Sequence, residues 1–425
     1  MLNRTIAPPI KDAIDFGLQL KPYNKFTLDN GTEVYAIDAG AEEVLQIEWV
    51  FFAGNWHEEQ NMVAATTNYL LKNGTSKKTA FEINEHFEYY GAYLNRASYN
   101  ETATISLHCL NKHTAHLLPV VNEIITGSVF PEDELQLYKQ NNKQRLEVSL
   151  KKSEFVAGRL IDEYVFGIDH PYGKYSTAAA YDALDRVHLQ SFYSEYYQQS
   201  KYIIFIAGKL PKDIEAQLNK NFGQLAIGKT AKNKIHPVIA AAEKKYRVVN
   251  DNDGVQGSIR MSRPFPNRHH PDFTRATVLN NVFGGFFGSR LMSNIREDKG
   301  YTYGIHSYLL NHIHESAWMV STEAGRDVCE ATIKEVYKEM DILRNEPVKE
   351  DELLLVKNYM LGSVLGDLDG PFHIIAKWKN IILNRLPATY FYDSVAAIKS
   401  VSAKELQELA NKYFVPADFY ELVVI

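Results

Sequence analysis

Two hydrophobic rhythms run along this chain, and the order in which they appear occurs twice. Residues 26–37 hold Asp29-Asn30-Gly31, a turn signal between two β-prone runs, which predicts a hairpin. A long β-prone run over 44–53 follows, then a helix over 61–72. Thr79-Ala80-Phe81-Glu82 has the spacing of a capping box and opens a second helix, with Ile83, Phe87 and Tyr90 on one face. Alternating positions then predict strands through 93–109, and amphipathic helices over 113–126 and 132–166. The second half starts with strands over 246–261 and a helix over 270–283. Strands over 302–321 follow, with a helix over 328–344 whose Ile333, Val336, Tyr337, Met340 and Leu343 share a face.

The halves also end alike. Ala183-Leu184-Asp185-Arg186-Val187 precedes a helix and the run Tyr202-Ile203-Ile204-Phe205-Ile206. Ala397-Ile398-Lys399-Ser400-Val401 precedes the capping box Ser402–Glu405, a helix and a strand over 419–425. The offset is 397 minus 183, or 214 residues, about one domain. Residues 226–240 carry no helical or strand period and contain Gly228 and Pro237, as linkers do. The expectation is an α+β protein of two like domains, residues 1–228 and 240–425, each a mainly antiparallel sheet packed with helices.

Composition narrows the function classes. A chain of 425 residues exceeds one ordinary core. A net charge of −6 supplies no footprint for nucleic acid or an anionic membrane. Two cysteines, Cys109 and Cys329, make neither a disulfide framework nor a thiolate metal site. No apolar run approaches the ~18 residues of a membrane span. Residues 1–12 lack the apolar segment of a signal peptide, so the expected location is cytoplasmic.

Several stretches carry more specific information. Phe283-Gly284-Gly285-Phe286-Phe287-Gly288-Ser289-Arg290-Leu291-Met292 leads into Ile295-Arg296-Glu297-Asp298-Lys299-Gly300-Tyr301-Thr302-Tyr303-Gly304. Leu28-Asp29-Asn30-Gly31, Lys72-Asn73-Gly74-Thr75, Gly91-Ala92-Tyr93-Leu94-Asn95 and Phe166-Gly167-Ile168-Asp169-His170-Pro171-Tyr172-Gly173 accompany them in order. Together they resemble the pitrilysin/insulinase-type zinc peptidases, the inverzincins that include the mitochondrial processing peptidases. The resemblance spans nearly the whole chain. It implies two homologous domains of the LuxS/mitochondrial processing peptidase-like metallohydrolase fold. It also implies that Arg296 and Tyr303 reach towards the carbonyl of a scissile peptide, with Asn95 on a substrate-binding strand.

Active members of that family carry H-x-x-E-H on the first-domain helix that ends in a Gly-Thr turn. The two histidines bind zinc and the glutamate serves as general base for the metal-bound water. Counting back from Gly74-Thr75 places those three positions at Ala65, Asn68 and Tyr69. Alanine has no donor, a carboxamide takes no proton from water, and a phenol with an ordinary pKa near 10 is a poor zinc ligand at neutral pH. Glu147 falls about where the family's later glutamate ligand belongs, and one carboxylate holds no zinc. The expectation is that this chain binds no metal. Glu82, Glu85 and His86, or His108, Cys109, His113 and His116, imitate metal faces, but Glu82 is accounted for by the Thr79 cap.

Arg296 supplies a permanent charge and Tyr303 a neutral phenolic donor. Neither activates water, so the pair serves peptide hydrolysis only when a zinc site faces it. The resemblance therefore implies a metal-free subunit of a two-subunit zinc endopeptidase. Its partner would be a homologue carrying H-x-x-E-H and the zinc, and its substrate an extended peptide added to a sheet edge near 95–104 or 303–309. Arg96, where the family has a small residue after the asparagine, puts the first of these edges in question. The alternatives are a non-catalytic scaffold, like the family members retained in respiratory complexes, and an autonomous peptidase with a different metal site.

Overall fold

The computed structural model describes residues 11–226, 228 and 234–425. Residues 1–10, and residues 227 and 229–233 of the expected linker, lie outside the described residues. The chain forms two compact units. One comprises Lys21–Asp253, Gly370–Asn380 and Val424–Ile425; the other comprises Gly254–Asp369 and Ile381–Val423 with the described residues up to Leu20.

The first sheet has six strands, in the order β1 (Asn24–Thr27), β2 (Glu33–Asp38), β6 (Tyr202–Gly208), β3 (Val44–Phe51), β5 (Ala103–Leu110) and β4 (Tyr93–Ser98). The β1–β2 hairpin turns at Asp29-Asn30-Gly31, with Gly31 at φ 88°. The β2–β6 contact is parallel, and the other pairs are antiparallel. Central β3 is buried nearly throughout, with Trp49 against Phe222 at 5.2 Å between ring centroids. Eight helices accompany this sheet: α1 (Val63–Leu70), α2 (Ala80–Tyr89), α3 (Thr114–Gly127), α4 (Glu132–Leu150), α5 (Ser153–Phe166), α6 (Ala178–Asp182), α7 (Arg186–Tyr193) and α8 (Ile214–Phe222). The single helix expected over 132–166 is two helices. The chain turns extended at Lys152, and Ser153 and Glu154 start α5, an acidic first turn that suits a helix amino terminus.

The second sheet runs β7 (Lys245–Val248), β11 (Tyr420–Val424), β8 (Gln256–Phe265), β10 (Ser316–Gly325) and β9 (Thr302–Asn311). Its five places repeat the last five of the first sheet in chain order, so β9 occupies the edge that β4 holds in the first. The later helices are α9 (Phe273–Asn280), α10 (Cys329–Asn345), α11 (Glu350–Gly366), α12 (Pro371–Leu383), α13 (Tyr390–Ser400) and α14 (Ala403–Tyr413). Both capping boxes form: Thr79 with Glu82 opens α2, and Ser402 with Glu405 opens α14.

Two local devices set the helices that matter for function. Helix α1 lacks a side-chain cap at Met62, which adopts a left-handed φ of 74°. Glu58 substitutes, accepting hydrogen bonds from the Met62 N–H (3.2 Å) and the Ala64 N–H (3.0 Å). Burial pushes the Glu58 carboxyl up to about 7, against the lowering effect of those bonds and of Lys174 and Lys234. In the second unit, α9 widens into a π turn over Asn281–Gly285. A buried network joins it to the sheet: Asn280 Nδ2 donates to the Ser307 carbonyl, Ser307 Oγ to Asn280 Oδ1, and Trp318 Nε1 to Ser307 Oγ. Gly284 lies against β9, where a Cβ would come within 2.7 Å of Ser307 Cβ and 2.8 Å of Leu291 Cδ1.

Gly284→Ala should therefore lower the melting temperature, with a cost of about 1–3 kcal/mol from overpacking. An unchanged melting curve would contradict the close approach. Because the folded-state pKa of Glu58 is raised, its contribution is fully present below the ordinary 4.5 and is lost as pH rises through about 7. Glu58→Gln sacrifices one cap bond at every pH. Its melting temperature relative to wild type should nevertheless be more favourable at pH 8 than at pH 5, by an effect on the order of a few kcal/mol at most. A relative melting temperature that does not depend on pH would contradict the buried carboxyl.

Candidate functional site

Arg296 lies in a second widened turn, Met292–Asp298. Turns of this π type recur at functional sites because they swing a side chain off the regular helical face. Asn294 pins the turn to α10 through Glu335 (2.9 Å) and Glu339 (2.7 Å). Gly300, at φ 66°, then reverses the chain into β9. There Thr302 pairs with Ala324 and Ile305 with Thr322, so Tyr303 and Gly304 together face the single residue Glu323. This is a β-bulge, which re-aims the side chain it carries. Tyr303 is 93% exposed as a result.

The bulge brings the two predicted residues together. The Arg296 guanidinium lies 4.6 Å from the ring centroid of Phe287 and 5.8 Å from that of Tyr303. Both aromatic rings attract the cation through their quadrupoles. Among the described residues, the carboxylate paired with it is that of its neighbour, Glu297, at 3.8 Å. Phe287 was not singled out in the sequence. Its 63% exposure, beside an arginine and a tyrosine, marks it as part of the same surface.

In the first unit the positions of H-x-x-E-H lie on α1. Ala65 offers no donor. Asn68 is 2% exposed, and its Nδ2 donates to the Tyr197 hydroxyl at 3.2 Å and the Thr104 carbonyl at 3.4 Å. Its amide is committed to the core. Tyr69 packs against Tyr138 of α4 with the rings tilted at 43° and their centroids 4.8 Å apart. The Arg96 guanidinium lies over the Tyr69 ring, 5.0 Å from its centroid. These residues do not fit zinc: one lacks a donor atom, one is held as a neutral amide, and one is packed as an aromatic. Among the described residues, no group of three His, Cys, Asp or Glu side chains is placed to hold a metal ion.

Glu147 is exposed on α4, nine residues beyond Tyr138 and thus about 13 Å along the helix at 1.5 Å per residue. It lines an open groove of about 540 Å³ with Lys143 and Arg159 rather than joining Asn68 and Tyr69. Asn95 is exposed on β4, opposite Ser106. The imidazoles of His86, His113 and His116 surround the Tyr90 ring at 5.1–5.3 Å, an aromatic cluster rather than a ligand set. Both cysteines are buried. No helix among the described residues is long and apolar enough to cross a membrane.

Residues 183–360 match the family described as Peptidase M16 inactive domain. The chain is 22% identical over 351 residues to "Uncharacterized zinc protease YmxG" of Bacillus subtilis, covering 81% of this chain and 84% of that protein. It is 22% identical over 305 residues to "Non-peptidase homolog YmxG" of Helicobacter pylori, covering 69% and 68%. Its fold superposes on the crystal structure of a peptidase M16 inactive domain from Pseudomonas fluorescens with a TM-score of 0.84, at 23% identity over 95% of this chain and 97% of that one. The chain is a homologue of the pitrilysin/insulinase-type (M16) peptidases, built as two domains of the LuxS/mitochondrial processing peptidase-like fold and lacking the H-x-x-E-H motif.

Proposed function

We propose that this chain is the metal-free subunit of a two-subunit zinc endopeptidase. It would present Arg296 and Tyr303 to a peptide held at the zinc of a homologue that carries H-x-x-E-H. The observation that carries this reading is the bulge at Tyr303. It places a phenol with no hydrogen-bond partner among the described residues on the surface, beside a guanidinium braced by two rings. Attack on a peptide carbonyl builds negative charge on its oxygen, and a cation with a neutral donor is suited to receive it. Ala65, Asn68 and Tyr69 would leave the metal chemistry to the partner. The domain boundaries proposed from the sequence, 1–228 and 240–425, assign Arg296 and Tyr303 to the second domain.

The edge strands β4 and β9 supply places where an extended peptide would add by main-chain hydrogen bonds, with Asn95 on the first. A second reading, a scaffold with no part in proteolysis, draws support from the relative described as a non-peptidase homolog. The two readings differ in what the exposed pair does. With an H-x-x-E-H homologue as partner, the mixed complex should cleave an unstructured peptide. Tyr303→Phe or Arg296→Ala should each reduce kcat about 10²–10³-fold, with the complex intact by gel filtration. Full activity after both substitutions would favour the scaffold.

A further inference from the structure

The edge at β4 carries a second cationic feature that the Arg296 surface does not explain. Arg96 lies on β4, and its chain folds over the carboxy-terminal end of α1. There Nη1 donates to the Tyr69 carbonyl and to Asn73 Oδ1, the latter at 3.2 Å. Asn73 passes on to Glu134 through its Nδ2 at 2.7 Å, so the carboxylate stands one amide away from the guanidinium. Nε is buried with no acceptor, and Nη2 has none among the described residues. Lys72 precedes Asn73 in the chain; burial first and the charge of Arg96 second lower its pKa, and Glu88 raises it by less. Burial likewise pushes Arg96 down to about 10.

A guanidinium whose Nε is buried without an acceptor, beside a lysine and with no ion-paired carboxylate among the described residues, is costly to keep unless something anionic joins it. The surroundings say what that is. β4 is the open edge of the six-stranded sheet, bonded to β5 on one side only. Leu94 and Arg96 share the face of β4 that packs towards α1, while Tyr93 and Asn95 point to the other face. A strand added at this edge would direct every second side chain to the Arg96 side.

We propose that Arg96 and Lys72 form a carboxylate-binding site that takes an acidic side chain of a peptide added to β4. The proposal rests on the strand-addition part of the function proposed above. It makes acidity at alternate peptide positions the selected property. This chain offers the peptide a guanidinium and an ammonium. They bind the peptide and do no chemistry on it.

The test uses the full chain and two labelled ten-residue peptides, acetylated and amidated, one alternating Thr and Glu and the other alternating Thr and Gln. Fluorescence anisotropy at low salt should give about tenfold tighter binding of the Glu peptide, as expected for a hydrogen bond to a charged group. The chain's net charge of −6 opposes that preference, so its appearance reports a local site. Arg96→Met and Lys72→Met should each erase the preference of the Glu peptide over the Gln peptide, whereas Arg96→Lys should retain it. Lys72 makes no hydrogen bond in the structure among those described, so its substitution stays informative if Arg96→Met unfolds the edge. Equal binding of the two peptides, or a preference that survives both substitutions, would overturn the site and leave strand addition standing. Failure of both peptides to bind would overturn strand addition at this edge and the site with it.

Discussion

The carboxamide of Asn68 holds α1 against the first sheet, and much else follows from its being neutral. Its two hydrogen bonds, to the Thr104 carbonyl and the Tyr197 hydroxyl, lie in a core where Asn68 is 2% exposed. A carboxylate in this position would need a cation beside it or would lose its charge. Here uncharged packing ties the helix to its surroundings: the Asn68 amide from within, Tyr69 on Tyr138 from the side, and Glu58 capping the amino-terminal end.

The two edge strands have diverged from this common plan. At β4, Arg96 folds back over α1 and closes the helix end with its own charge. At β9, the bulge does the opposite and turns Tyr303 outward beside Arg296. On the first unit Tyr69 contacts Tyr138 of α4 and Arg96, while on the second Tyr303 is turned to solvent. The repeated strand order explains why both edges exist, and the two edges carry different side chains.

Local signals in the sequence were sufficient for the parts of this arrangement that depend on near neighbours. The capping boxes at Thr79 and Ser402 and the turn at Asp29-Asn30-Gly31 form as the residue types require, because their partners lie within three residues. The spacing of Arg296 and Tyr303 also led to a real juxtaposition. What the sequence could not convey is contact between distant segments. Phe287 on Arg296, Tyr138 on Tyr69 and Arg96 over α1 are set by tertiary packing. The break at Lys152 is a related case, since helical periodicity runs on through it and only the change of direction reveals it. The bulge at Tyr303 is a one-residue mismatch with β10, invisible in β9 alone.

Ala65, Asn68 and Tyr69 do not fit zinc, and Arg296 and Tyr303 lie together on the surface of the second unit. Zinc content of the purified full-length chain, loaded with one equivalent of zinc and dialysed, tests that lack of fit most directly. Far less than one zinc per chain is the predicted result; one tightly held zinc per chain would contradict it.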